Sequence, residues 1–179
     1  YPMYAANRRG ERRSDVIEFL KTAYRVQEVI DYSGLEPDEL FLEGTGAMVL
    51  DNIARIAFAA RSRRCEPLLV ERFCTAFGYE PVVFDAVDDD GIPIYHTNVM
   101  MCVATDFALV GLDTIVSEER RREVTSRLER SGRTVIPLTR AQIASFAGNA
   151  IELRNGAGER LLVISQTGYD SLTPEQRAT

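Results

Sequence analysis

The chain repeats itself. Three pairs of short apolar runs recur along it, residues 47–51 into 55–60, 99–104 into 107–112 and 150–154 into 160–165, each pair broken by Asx or glycine turn residues. Such pairs read as two strands joined in a hairpin. One polar residue stands just before each pair: Glu43, His96 and Asn149, spaced by 53 residues at both steps. A period near fifty predicts a propeller, solenoid or other array. In a closed array, the shared register aims one polar side chain per copy at a common place.

Each hairpin leads into a stretch of helical period and then another strand. Leu69, Phe73 and Phe77 fall four apart after Cys65, and Gly78 stops that helix before a strand over 79–84. Further on, Ser117 is placed to cap a helix with Glu118 and Glu119 in its first turn, where the helix dipole favours acid. Val124 and Leu128 mark its inner face, Gly132 ends it, and 134–138 reads as a strand. The first thirty residues fit the same unit without its opening strand. Residues 1–4 would be a second hairpin strand, Ser14 would cap a helix through Val16, Ile17, Leu20 and Tyr24, and 26–32 would be the closing strand. At the other end, residues 165–179 stop where the next helix should begin. The expectation is one α/β domain over 1–179, about three ββαβ units, cut at both ends.

With 45% apolar and 27% charged residues, no signal peptide and no apolar run of spanning length, the composition predicts a soluble cytoplasmic protein without a membrane partner. The net charge of −6 speaks against a nucleic-acid partner. The run Arg120-Arg121-Arg122 lies among Glu118, Glu119, Glu123 and Glu129 and reads as a solvated, salt-bridged helix face. Three cysteines without a Cys-x-x-Cys pair, and a single histidine, offer neither a disulfide framework nor a metal-ligand set, so no metal and no cofactor is expected. Cys74 and Cys102 read as small buried hydrophobes. Cys65, at a helix start among arginines, is the candidate for a lowered thiol pKa.

Each repeated polar residue also has a structural reading. A histidine at a strand start is commonly just hydrogen-bonded, Glu43 fits a cap on a turn made by Gly44 and Gly46, and Asn149 fits a turn. Three unrelated structural roles need not recur at one step, however, and the common register weighs toward a site.

The stretches Phe-Leu-Glu-Gly-Thr-Gly-Ala-Met-Val-Leu-Asp (41–51), Ile-Tyr-His-Thr-Asn-Val-Met-Met (94–101) and Phe-Ala-Gly-Asn (146–149) resemble the guanidino-group-modifying enzymes of the pentein fold. That superfamily includes arginine deiminases, dimethylarginine hydrolases and amidinotransferases. The closest likeness is to the amidinotransferase-like branch associated with citrulline-utilisation hydrolases, and it covers essentially the whole chain. The resemblance implies five ββαβ units around a pseudo-fivefold axis, an α/β propeller of which about three units are present here. It further implies a cysteine nucleophile that attacks a guanidinium or ureido carbon through a covalent thiouronium-type intermediate. By residue, it makes His96 the general acid and base, Glu66 a catalytic acid at the start of a helix, Glu43 and Asn98 substrate-binding groups, and Asn149 a structural asparagine.

Two departures from the pattern carry consequences. The element Glu43-Gly44-Thr45-Gly46 lacks the family's usual aspartate, and His96-Thr97-Asn98 replaces a His-x-Asp. Fewer carboxylates lean the small arginine-like substrate toward a neutral ureido group such as that of citrulline. None of the three cysteines falls in the nucleophile's register, so the nucleophile is expected C-terminal to Thr179 and the fragment is expected to be inactive alone. Two alternatives stand beside the hydrolase: an amidinotransferase, which shares the covalent intermediate, and a catalytically silent array binding an amino-acid ligand or a partner chain. Open strand edges would favour self-association into a homo-oligomer.

Overall fold

In the computed structural model, which describes residues 1–178 with the side chain of Thr45 excepted, a helix α1 (Ser14–Ala23) is followed by two ββαβ units and the hairpin of a third. The first unit is β1 (Met48–Asp51), β2 (Ile56–Ala60), α2 (Pro67–Phe77) and β3 (Glu80–Phe84). The second is β4 (Met101–Val103), β5 (Phe107–Val110), α3 (Glu118–Arg130) and β6 (Thr134–Pro137). A short helix α4 (Arg140–Ala144) precedes β7 (Ala150–Arg154) and β8 (Arg160–Ile164), and two short helices, α5 (Gln166–Ser171) and α6 (Pro174–Ala178), come after them.

Both units are wired alike. The first strand pairs antiparallel with the second, Met48 opposite Ala59 and Met101 opposite Val110, and the second pairs parallel with the third, Ile56 opposite Glu80 and Phe107 opposite Thr134. A tight turn suffices for the antiparallel step, whereas the parallel step needs a crossover, which α2 and α3 supply. Asp51 shapes the first turn by accepting from the backbone N–H groups of Ile53 (3.0 Å) and Ala54 (2.8 Å).

The helices form where the sequence places them. Pro67 opens α2, where its missing N–H costs nothing, and Gly78 closes it in the left-handed region at φ 67°. Leu69, Val70, Phe73 and Cys74 are its buried residues. Ser117 accepts from the backbone N–H of Arg120 at the start of α3, and Val124 and Leu128 are buried beneath it. The outer face of α3 is an ion-paired surface, Arg120 with Glu123 and Arg122 with Glu118, as the charge pattern predicts.

β2 is buried at every residue because both of its faces are covered. Its alternating side chains divide between two packed clusters. Ile56, Phe58 and Ala60 join the second unit's Met101, Leu109, Ile115 and Leu128, while Ala57 and Ala59 meet Leu69, Val70 and Phe73 of α2.

The termini depart from the sequence reading. Among the described residues, neither 1–4 nor 26–32 forms a strand. A strand needs a row of backbone partners, and the first segment makes a single such bond, from the Leu42 N–H to the Pro2 carbonyl at 3.1 Å. Ser14 is the first helical residue rather than the cap of α1, whose capping position is Arg13 without a side-chain cap. The apolar face of α1 is uncovered: Val16, Ile17, Leu20 and Tyr24 are exposed, and so is Phe19, at 64%. After β8 the chain is already helical, in α5 and α6, where the sequence reading stops short of a helix.

Candidate active site

Two 3-10 turns, Gly44–Gly46 and Thr97–Val99, stand at the same distance ahead of β1 and β4, and they and the strands they feed recur 53 residues apart. Glu43 and His96 are the residues just before these turns. The equal spacing therefore becomes a spatial equivalence, and the packing of unit one on unit two brings the two side chains together. His96 Nε2 lies 3.0 Å from Glu43 Oε2.

Glu43 is enclosed by donors. Its Oε1 accepts from the backbone N–H groups of Tyr4 (2.9 Å) and Ala5 (3.4 Å), and its Oε2 accepts from Arg8 Nη1 (3.3 Å) and Arg64 Nη1 (3.5 Å). Surrounded in this way it is an acceptor on every side, so the proton between it and His96 belongs to Nε2. Both residues are buried, Glu43 at 7% and His96 at 9% exposure. Burial holds the His96 pKa below its ordinary value; the Glu43 carboxylate opposes that shift, and the Arg64 and Arg8 charges reinforce it. The resting imidazole is accordingly neutral at neutral pH, ready to accept a proton.

The seat of the imidazole is built from both units. Thr97, fully buried, donates its hydroxyl to the Ala47 carbonyl (2.5 Å) and accepts from the Ala60 N–H (2.8 Å), fixing the backbone beside His96 to the first unit. In return, Gly46 lies directly against the ring, and a Cβ there would come within 2.8 Å of Nδ1. The Arg64 guanidinium sits 5.2 Å over the ring of Tyr95, whose centroid is 5.1 Å from that of His96.

The other candidates are dispersed. Asn98 and Asn149 line a cavity of about 1320 Å³ bounded by the leading strands β1, β4 and β7. Asn149 does not share the place of Glu43 and His96: it directly precedes β7, with no 3-10 turn between, so the equal step in sequence does not carry into the third unit. Glu66 is half-buried at the capping position of α2, where its backbone N–H donates to the Phe41 carbonyl (2.8 Å). Among the described residues its carboxylate makes no hydrogen bond to Glu43 or His96. The three thiols are buried, and burial pushes Cys65 and Cys102 up to about 12 and Cys74 to about 11. This corrects the expectation for Cys65: its thiol points into the core toward the Ala47 carbonyl (3.5 Å), and Glu66 adds to the rise. Among the described residues no three His, Cys, Asp or Glu side chains gather as a metal-holding group, and no helix is long and apolar enough to cross a membrane.

Sequence reasoning missed Arg8, Tyr4 and Ala5, which reach Glu43 across more than thirty residues without any spacing signal. Arg64 stood in a conspicuous Arg-Ser-Arg-Arg run over 61–64. Gly46 was read only as a turn residue.

Two ββαβ units and a third hairpin around a leading-strand cavity, with a carboxylate and an imidazole joined across the first seam, have the form that the resemblance to the pentein fold of guanidino-group-modifying enzymes implies. Solved structures of this fold align with the chain. The apo form of ArgZ, an arginine dihydrolase from the ornithine-ammonia cycle in cyanobacteria, matches with a TM-score of 0.65 and 18% identity over 94% of this chain and 25% of its own. The substrate-bound N-terminal domain of ArgZ (C264S mutant) matches with a TM-score of 0.63 and 19% identity, over 94% of this chain and 57% of that domain. Unliganded AgrE matches with a TM-score of 0.61 and 21% identity over 83% of this chain and 20% of its own. The chain thus spans a quarter of ArgZ and rather more than half of its N-terminal domain. No curated protein matches the chain in sequence. Over residues 1–179 it matches the family described as N,N dimethylarginine dimethylhydrolase, eukaryotic, and it belongs to that family.

Proposed function

We propose that this chain carries the acid–base pair of a cysteine-dependent hydrolase that cleaves a guanidino or ureido C–N bond of an arginine-like amino acid. The carrying observation is the 3.0 Å contact between Glu43 and His96 across the seam of two repeats, in a chain that belongs to a dimethylarginine hydrolase family. Its structural neighbours in ArgZ are arginine dihydrolases, which supports the same class.

The chemistry follows from the pair. The nucleophile's thiol gives its proton to neutral His96 as the thiolate adds to the planar carbon, and when the tetrahedral adduct breaks its C–N bond His96 passes that proton to the departing amine. Water then attacks the S-linked carbon as the again neutral His96 takes its proton, and the second tetrahedral adduct breaks the C–S bond, releasing the product and returning the proton to the departing thiolate. Glu43 holds the imidazole in one orientation and stabilises its charged form, as the third group of a nucleophile–base–carboxylate arrangement does. Glu43, which the family resemblance made a substrate-binding group, is in this reading first the partner of His96. Glu66 at the start of α2 is kept as a second acid, and Asn98, on the cavity wall, offers an amide that both donates to and accepts from a ureido group. The three thiols stay protonated at neutral pH, so the nucleophile is assigned outside these 179 residues.

Two arginines crowd the one carboxylate, Arg8 at 3.3 Å and Arg64 at 3.5 Å from the same oxygen. A cationic guanidinium entering here would meet like charges, which favours a neutral ureido substrate over arginine. A second reading, a non-catalytic interaction module, draws on the uncovered apolar faces of α1 and of the β7–β8 hairpin.

The test is turnover. The 179-residue chain incubated with arginine, citrulline and methylated arginines is expected to release neither ammonia nor ornithine. In the protein that supplies the nucleophile, His96→Ala is expected to lower turnover by roughly two to four orders of magnitude. Unchanged turnover in that variant, or turnover by the short chain that Cys65→Ser abolishes, would overturn the assignment.

A further inference from the structure

Gly46 meets the imidazole of His96 where the turns of the two units pack together. A Cβ built on Gly46 would lie 2.8 Å from Nδ1, 3.1 Å from Cε1 and 3.4 Å from Cγ of the ring. The gradual rise of these distances across three ring atoms puts that atom over the face of the imidazole rather than out along the Nδ1 lone pair. Gly46 has no positive φ, so its backbone is one that alanine adopts freely; what it provides is the absence of a side chain at the ring. With the face of the ring resting on Gly46 and Nε2 on Glu43, the imidazole cannot tilt or rotate without losing one of the two supports.

Four further donors leave the Glu43 carboxylate only acceptor capacity, so Nε2 carries hydrogen and Nδ1 carries the lone pair. We infer that Nδ1 of His96 is the atom that takes and returns the proton, and that Gly46 is a positioning residue whose missing side chain keeps the imidazole on Glu43 with Nδ1 free. The inference rests on the hydrolase reading for its meaning, but its test is spectroscopic and independent of turnover.

His96 is the sole histidine, so its ring nitrogens are read without assignment in a long-range ¹H–¹⁵N spectrum. Above the imidazole pKa the chain is expected to show one tautomer, protonated at Nε2, with Nδ1 resonating as an unprotonated nitrogen. Gly46→Ala is expected to convert this to a mixture of tautomers while backbone amides in α3 and β6 keep their shifts. Should Gly46→Ala fail to fold, Glu43→Gln gives the same readout, because a neutral amide no longer fixes the ring proton. A wild-type spectrum with Nδ1 protonated, or with both tautomers, overturns the inference and leaves the hydrolase reading standing. A single Nε2–H tautomer persisting in a folded Gly46→Ala variant removes Gly46 from the positioning role.

Discussion

The seam between the first and second repeats and the hairpin of the third are written in nearly the same sequence pattern, yet they end in opposite environments. At the first seam β2 is covered on both faces, and the polar residues ahead of the strands meet in a buried pair. At the third hairpin Ile151, Leu153, Leu161 and Val163 remain exposed, and Asn149 faces an open cavity. The ion pairs follow the same division. Asp51 and Arg133 are buried between units one and two, with Arg133 Nη2 2.8 Å from Oδ1 and Nη1 2.7 Å from Oδ2, although among the described residues Oδ2 takes no aligned hydrogen bond. Arg160 and Asp106, between units two and three, pair at the surface. The repeat pattern makes a strand pair in each of the three hairpins, but it makes a site only where a neighbouring repeat excludes water from the polar residue it presents.

Four substitutions sharpen this contrast. Arg133→Met leaves Asp51 buried without its counter-charge and is expected to cost about 3–5 kcal/mol, measured by urea unfolding; Arg160→Met, at the solvated seam, should leave the midpoint unmoved. Thr97→Val strands the buried Ala60 N–H and leaves the Ala47 carbonyl only the weak Cys65 thiol donor, and is expected to cost on the order of 2 kcal/mol, with the loss seen in the same unfolding curve. The smallest effect belongs to the third hairpin, where Ile151→Thr should stay within about 0.5 kcal/mol of the parent because the side chain is already in water. A large loss there would mean that the hairpin is covered in solution and that the contrast between the seams is not real.

Much of this was legible in the residues. Turn signals at Asn52, Gly78 and Gly132 and helical spacing at Leu69, Phe73 and Phe77 located the two ββαβ units, because these are local effects. The step from Glu43 to His96 was also legible, since equal spacing in a repeat becomes equal placement in space. It failed at Asn149 because α4 and the residues after it replace the 3-10 turn of the earlier units, a change of local geometry that residue counting does not register. The strands expected at 1–4 and 26–32 failed because pairing is a property of neighbours, not of propensity. Arg8 was invisible for a related reason: its partner Glu43 is 35 residues away, on a different element.

The central claim, that Glu43 and His96 form a buried carboxylate–imidazole pair, is tested most directly by an NMR titration of the sole histidine in the parent chain and in Glu43→Gln. Burial and the two arginines lower the imidazole pKa while Glu43 opposes them. The parent midpoint should therefore fall below the ordinary value of about 6.5, and removing the carboxylate charge should lower it further, because Arg8 and Arg64 then face the imidazolium alone. A midpoint that Glu43→Gln leaves in place or raises would contradict the pairing on which the proposed chemistry rests.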